Sequence, residues 1–260
     1  MSFSLSIPVR PPYPWDAILR YLTPRSTPGV ESISETRYVR QTPGGTVSVE
    51  FVSSNCSLAV SGDGALPAIT SRLERLFDTT HDPTPMDRLL AASPILRPRI
   101  ERLPGVRVPG CWEPFELCVR VILGQQVTVR AANTLMCKLV ARCPGLDPAE
   151  LAASDLSNFG MPGRRLETLR TLAEQVALGH VRLNHTWPEV AGQLAEIPGF
   201  GPWTLQYLAI RLGRDPDAFP AQDLGLLRAS GVKSARELEK LAESWRPYRG
   251  YAAMYLWMAG

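Results

Sequence analysis

The stretch Ile197-Pro198-Gly199-Phe200-Gly201-Pro202 decides the fold of this 260-residue chain. Its two glycines permit positive φ angles, so the backbone can turn tightly between two segments of helical periodicity. Thr186 can cap the helix before the turn, and the residues from Trp203 to Leu212 have the pattern of a helix after it. We therefore predict a helix-hairpin-helix. The turn residues alone fit a plain connector between two helices equally well.

The predicted hairpin can bind an anion. Successive backbone N–H groups at the start of the second helix can face a DNA phosphate, in a contact that is blind to base sequence. The residues predicted to make this contact are Gly199, Phe200, Gly201 and Thr204. The nearby cations predicted to assist them are Arg164, Arg165 and Arg249.

A single carboxylate follows the hairpin. Asp223 lies in Phe219-Pro-Ala-Gln-Asp-Leu-Gly-Leu-Leu227, among apolar residues at the predicted start of a short helix. Taken alone, it is most simply a solvated helix cap. After a hairpin of this type, it becomes the candidate catalytic acid.

Composition limits the classes of protein that the chain can belong to. With 45% hydrophobic and 20% charged residues it is neither disordered nor fibrous, and no apolar run is long enough for a membrane helix. The formal net charge is only +3, which does not by itself identify an anionic partner. The five cysteines include no C-x-x-C pair, so neither a disulfide framework nor a zinc site is indicated. The amino terminus lacks a secretory pattern, and we expect a soluble, cytoplasmic protein.

The pattern along the chain predicts an α+β unit followed by helices. Apolar alternation near Phe3, Val47 and Leu58 indicates strands, and helical spacing follows Trp15 and Leu66. After the polar stretch 78–85 the apolar spacing is helical throughout. A domain boundary is therefore expected near residue 85.

The hairpin, the aspartate and the surrounding helices resemble the helix-hairpin-helix DNA glycosylase superfamily. Four stretches are similar to its bacterial 3-methyladenine DNA glycosylase II (AlkA-type) branch: Val108-Pro-Gly-Cys-Trp-Glu-Pro-Phe115, Ile122-Leu-Gly-Gln-Gln-Val127, Gly160-Met-Pro162 and Trp245-Arg-Pro-Tyr-Arg249. The resemblance implies an N-terminal α+β domain (1–85), an antiparallel sheet with two helices. An all-α core of two subdomains then follows, 86–111 plus 216–260 with Asp223, and 112–215 with the hairpin.

The resemblance also implies the chemistry. Trp203 stands where bifunctional relatives carry a Schiff-base lysine, so a monofunctional glycosylase without lyase activity is expected. Asp223 would stabilise an oxocarbenium-like sugar and orient the attacking water. An alkylated purine is already cationic and leaves without a general acid, which makes 3-methyladenine and 7-methylguanine the expected bases.

Two groups of side chains are assigned to the extruded base and to the gap it leaves. Trp203 and Tyr207 share a helix face and can stack on a cationic base, although a core aromatic pair has the same spacing. By resemblance, Trp245, Tyr248 and Tyr251 lie across the same cleft. The resemblance places a DNA wedge at Gln126 with Gln125 beside it; the alternative is a polar loop between helices.

No cofactor is expected to be required. Because the last cysteine, Cys143, lies before Asp223, no iron–sulfur cluster is expected after the aspartate, where some relatives hold one. By resemblance, the backbone carbonyls of Ala195, Ile197 and Phe200 can hold a structural Na⁺ or K⁺.

The leading hypothesis is base excision repair of alkylated purines in double-stranded DNA by a monomer at the nucleoid, without membrane contact. One alternative is a glycosylase for hypoxanthine or for a deaminated or oxidised base. Another is a DNA-structure-binding protein without catalysis.

Overall fold

The structure is a computed structural model that describes residues 2–258. The strands are β1 (Ser2–Pro8), β2 (Glu31–Ile33), β3 (Arg37–Thr42), β4 (Gly45–Val52) and β5 (Ser57–Asp63). The helices are α1 (Trp15–Leu22), α2 (Leu66–Phe77), α3 (Pro83–Leu90), α4 (Arg97–Arg102), α5 (Pro114–Gly124), α6 (Val129–Arg142), α7 (Pro148–Ala153), α8 (Gly163–Ala177), α9 (Trp187–Ala195), α10 (Pro202–Arg211), α11 (Leu224–Ser230), α12 (Ala235–Ala242) and α13 (Arg249–Met258). Short 3₁₀ turns follow α1 and α12. Across residues 2–258, no helix combines the length and apolar character that a membrane crossing requires.

The five strands form one antiparallel sheet in the order β1-β5-β4-β3-β2. This confirms the predicted α+β unit followed by helices. Sequence periodicity indicated β1, β4 and β5 but missed β2 and β3. In β3 the inward positions are Tyr38 and Arg40, both buried, so its buried face does not consist of apolar residues.

Two hydrophobic cores organise the chain. In the first core, the sheet, α1 and α2 pack against the two helices that follow them, α3 and α4. Helices near the carboxyl end complete this core, as far as Leu256. The second contains buried side chains from Phe115 to Leu208 and includes the hairpin residues Ile197 and Phe200. The second core therefore lies within the predicted subdomain 112–215. The predicted unit 1–85 shares its core with the helices of the other predicted subdomain, and the division at residue 85 stays a prediction.

A buried ion cluster joins the sheet to α5. The Arg40 guanidinium is 2.5 Å from the Glu116 carboxylate and 3.3 Å from Glu31, and only 4% of the Arg40 side chain is exposed. Burial raises the pKa of Glu116, and the attraction of Arg40 opposes that rise. The Arg40 cation thus holds the carboxylates of Glu31 and Glu116 together between the sheet and α5.

We predict that Arg40→Met destabilises the protein by about 3–5 kcal/mol, because two buried carboxylates lose their cation. Arg37→Met is the matched control on the same strand, since its 2.5 Å ion pair with Glu50 is exposed. That substitution is expected to cost less than about 1 kcal/mol. Urea unfolding measures both, and equal losses would contradict the role assigned to Arg40.

Candidate active site and nucleic-acid interface

The predicted helix-hairpin-helix is formed by α9, α10 and the turn 196–201 between them. Thr186 and Glu189 make a reciprocal capping box at the start of α9, which fixes where the first helix begins. Ile197 and Phe200 bury their side chains in the second core. The turn is therefore held by its apolar residues, while its glycines remain at the surface.

The two hairpin glycines have different roles. Gly199 has φ +104°, and a Cβ at this position would lie 2.3 Å from Oγ1 of Thr168. Gly201 has φ −76°, and a Cβ there would meet open space. Both glycines permit a positive φ, but only Gly199 adopts one. Only Gly199 is required by the backbone of the turn.

Gln125 anchors the hairpin. Its Nε2 donates to the carbonyl of Gly199 at 2.9 Å and to Oγ1 of Thr204 at 3.2 Å, and the carbonyl of Gln125 accepts from Arg165 at 2.7 Å. Gln126 is exposed and has φ +59°, in the left-handed region. Of the two predicted wedge residues, Gln125 is thus bound to the hairpin, whereas Gln126 is exposed.

The three predicted arginine contacts also differ. Arg164 is exposed, as a phosphate contact requires. Arg165 is half-buried and donates to backbone carbonyls at the end of α5 and in the loop that follows it. Arg249 is 13% exposed and pairs with Asp217 and Glu243, so its charge is already balanced within the protein.

The Asp223 carboxylate is half-buried and accepts three hydrogen bonds. Its Oδ1 accepts from the backbone N–H of Leu226 at 2.9 Å, which caps α11, and from Nε1 of Trp257 at 3.0 Å. Its Oδ2 accepts from Nε1 of Trp203 at 3.0 Å. The donors come from α10, α11 and α13, so three helices fix the orientation of this carboxylate.

The indoles of Trp203 and Trp257 belong to a cluster of aromatic rings. Trp203 stacks on Tyr207 with centroids 5.6 Å apart, and Tyr207 lies 5.6 Å from Trp257 in a tilted arrangement. The structure thus brings together Asp223, Trp203 and Tyr207 from the predicted site. Sequence reasoning missed Trp257, because it lies in an apolar terminal helix where only a tertiary contact distinguishes it.

The C-terminal aromatics assigned to this cleft are placed elsewhere. Trp245 is 1% exposed and packs edge-on against Phe219 in the first core, so it does not line an open pocket. Tyr248 and Tyr251 line a separate cavity of about 410 Å³ that does not include Asp223. Tyr248 immediately precedes α13 and Tyr251 lies in its first turn, whereas Trp257 lies six residues beyond Tyr251, a rise of about 9 Å along the helix.

The hydroxyl of Tyr207 adjoins a buried cation. Nη1 of Arg211 donates to this hydroxyl at 3.2 Å, and Tyr21 places its own hydroxyl 3.5 Å away. Burial by itself raises the pKa of Tyr207, but Arg211 and Arg25 outweigh it and lower that pKa to about 8. Burial raises the pKa of the neighbouring Tyr21. The Arg211 and Arg25 cations therefore favour ionisation of the Tyr207 phenol.

Fold and site together define a class: helix-hairpin-helix proteins with an aspartate fixed after the hairpin. Residues 4–113 match the AlkA N-terminal domain family, and residues 119–247 match the HhH-GPD superfamily base excision DNA repair protein family. The chain is 30% identical to DNA-3-methyladenine glycosylase 2 of Escherichia coli, covering 95% of this chain and 94% of that protein. This chain belongs to the HhH-GPD superfamily, in the branch that carries an AlkA N-terminal domain.

Other relatives extend the comparison. The chain is 33% identical to a protein of Mycobacterium tuberculosis named probable bifunctional transcriptional activator/DNA repair enzyme AlkA, covering 98% of this chain and 56% of that protein. The chain thus spans little more than half the length of that relative. The solved structure of a 3-methyladenine DNA-glycosylase from Archaeoglobus fulgidus has the same fold, with a TM-score of 0.80 at 20% identity over 98% of this chain and 97% of that one.

We predict that Gly199→Ala destabilises the protein by about 2–4 kcal/mol, because the new Cβ adds left-handed strain and a clash with Thr168. Gly201→Ala is the matched control and is expected to change stability by less than about 0.5 kcal/mol. Urea unfolding of the two variants tests this. If the two alanines cost the same, the hairpin backbone does not have the strain described here.

Proposed function

We propose that the chain is a monofunctional DNA glycosylase that releases alkylated, cationic purines in base excision repair. The observation that carries the proposal is the Asp223 carboxylate, fixed by three N–H donors beside the aromatic rings of Trp203, Tyr207 and Trp257. The relatives named as 3-methyladenine glycosylases support the same activity. The substrate is double-stranded DNA that contains a damaged base, and the chain acts on it as a monomer at the nucleoid.

Binding begins at the hairpin. The first turn of α10 has N–H groups without partners inside the helix, and the N–H groups of Gly201, Trp203 and Thr204 are suited to a DNA phosphate. The N–H of Phe200 already donates to the carbonyl of Ile197 at 3.1 Å, so Phe200 contributes its buried ring instead. Arg164 is exposed, and Thr168 Oγ1 donates to both the Arg164 carbonyl and the hairpin carbonyl of Pro198, so Arg164 adds a cation near the hairpin.

Base release requires the nucleotide to leave the duplex. Gln126 is exposed next to the anchored hairpin, where its side chain can fill the gap left by the extruded base. The anchoring of Gln125 to Gly199 and Thr204 keeps this wedge at a fixed distance from the phosphate contact. The cationic base then meets the electron-rich faces of the aromatic rings.

The bond that breaks joins C1′ of the sugar to the base nitrogen. The electron pair leaves with the cationic purine, which becomes neutral, and positive charge develops on the sugar. The Asp223 carboxylate stabilises that charge and orients the water. The water oxygen bonds to C1′ and its proton passes to solvent, which leaves an abasic site.

A monovalent cation at the hairpin fits the carbonyls predicted for it. The Ile197 carbonyl accepts from Phe200, but within residues 2–258 no hydrogen bond reaches the carbonyl oxygens of Ala195 or Phe200. Unpartnered carbonyl oxygens are suitable ligands for Na⁺ or K⁺. Bound there, the ion would add positive potential near the phosphate contact.

We predict that Asp223→Asn lowers single-turnover release of 7-methylguanine at least a hundredfold, on the order of the loss of one electrostatic group at a reacting centre. Asn caps helices as well as Asp, so the fold should persist. Asp147→Asn is the matched control, since Asp147 caps α7 in the same way and lies outside the site. Activity of Asp223→Asn within a few-fold of wild type would remove Asp223 from catalysis.

We also predict that the product is an intact abasic strand and that borohydride traps no covalent complex with DNA. No lysine lies in the hairpin, since Lys138, Lys233 and Lys240 are the lysines of this chain. Gel electrophoresis before and after alkali treatment distinguishes a cut strand from an abasic one. A trapped complex would show that an amine of this protein reaches the sugar.

A further inference from the structure

The hydrogen bonds of Asp223 distinguish its two oxygens. A carboxylate offers about four acceptor sites. Oδ1 accepts two hydrogen bonds, from the N–H groups of Leu226 and Trp257, whereas Oδ2 accepts one, from Trp203. Oδ1 is therefore saturated, and Oδ2 keeps one acceptor site.

We propose that Trp257 is a positioning residue for catalysis and that Oδ2 is the oxygen of Asp223 that faces the reacting sugar. The indole N–H of Trp257 and the backbone N–H of Leu226 anchor Oδ1, so the free acceptor site of Oδ2 has one fixed direction. This inference rests on the proposed glycosylase function. It adds a role that the stacking of aromatic rings on the base does not require.

Gly225, two positions after the aspartate, leaves the room that the contact between Asp223 and Trp257 needs. A Cβ at Gly225 would lie 2.9 Å from Oδ1 of Asp223, and 3.5 and 3.6 Å from two atoms of the Trp257 indole ring. A side chain at position 225 would therefore crowd the hydrogen bond between Asp223 and Trp257. The backbone of α11 and the Trp257 indole of α13 thus pack closely together around Oδ1 of Asp223.

The aromatic cluster also connects binding of the base to the orientation of the Asp223 carboxylate. Tyr207 lies against both indoles, and each indole donates to a different oxygen of Asp223. A base that enters among these rings acts on the same side chains that orient the carboxylate. The N–H of Trp257 is therefore expected to affect the chemical step more than the affinity for DNA.

The test replaces Trp257 by Phe, and separately by 3-benzothienylalanine, which keeps the size of the indole but has sulfur in place of N–H. We expect both variants to lower single-turnover release of 7-methylguanine by roughly tenfold to a hundredfold, the range for a lost hydrogen bond to a charged group. Affinity for duplex DNA with an abasic site should stay within about threefold, because the phosphate contacts of the hairpin are unchanged.

Trp245→Phe is the matched control. Within residues 2–258 the buried Nε1 atom of Trp245 has no hydrogen-bond partner, so its loss should not change the rate. Gly225→Ala gives a second route to the same contact and should lower the rate as Trp257→Phe does.

The outcomes separate the two proposals. If the wild-type protein releases 7-methylguanine and the benzothienylalanine variant releases it at the same rate, Trp257 does not position Asp223, and the glycosylase function stands. If only the Phe variant is slow, ring size and not the N–H matters, and the inference is overturned. If the wild-type protein releases no alkylated base, the proposed function itself fails.

Discussion

The Asp223 carboxylate and its three N–H donors are the interaction on which the arrangement of the helical core depends. A half-buried carboxylate is costly without hydrogen bonds, and its donors here come from α10, α11 and α13. The hairpin positions Trp203, the cap of α11 positions Leu226, and the terminal helix positions Trp257. The fold therefore serves the site by holding three helix ends close together around one anion.

Features that depend on local chemistry could be predicted from the local sequence. The hairpin turn, the cap at Thr186 and the aspartate at a helix start all follow from residues within a few positions of one another. Gly201 is the exception, because the pattern Pro-Gly-x-Gly does not reveal which glycine takes a positive φ. The structure assigns that conformation to Gly199 alone.

Features that depend on contacts between distant residues were not predictable in this way. Trp257 and Trp245 are both tryptophans near the carboxyl end, yet one contacts Asp223 and the other is enclosed in the first core. Trp245 ends the 3₁₀ turn after α12 and Trp257 lies in α13, but neither position indicates which indole reaches Asp223. Gln125 was expected to project toward DNA, but its side chain reaches across 74 positions of sequence to the Gly199 carbonyl.

Several arginines stabilise the packing of the protein and are not available to DNA. Arg211 donates to the carbonyls of Pro109 and Gly110, and Arg107 is fully buried against backbone carbonyls of the chain near Pro12. Arg40 balances two buried carboxylates. The total of 28 lysines and arginines therefore overstates the number of cations that a phosphate can reach. Recognition must depend on local groups at the hairpin.

The central claim is that Asp223 presents negative charge to a cationic sugar. The most direct measurement compares the affinity of the wild-type protein for duplex DNA carrying a protonated pyrrolidine or a neutral tetrahydrofuran in place of the target sugar, at one salt concentration. Because the pyrrolidine resembles the charge of the transition state, we expect it to bind at least about tenfold more tightly, and Asp223→Asn to abolish that difference. Equal affinities for the two probes in the wild-type protein would contradict the account.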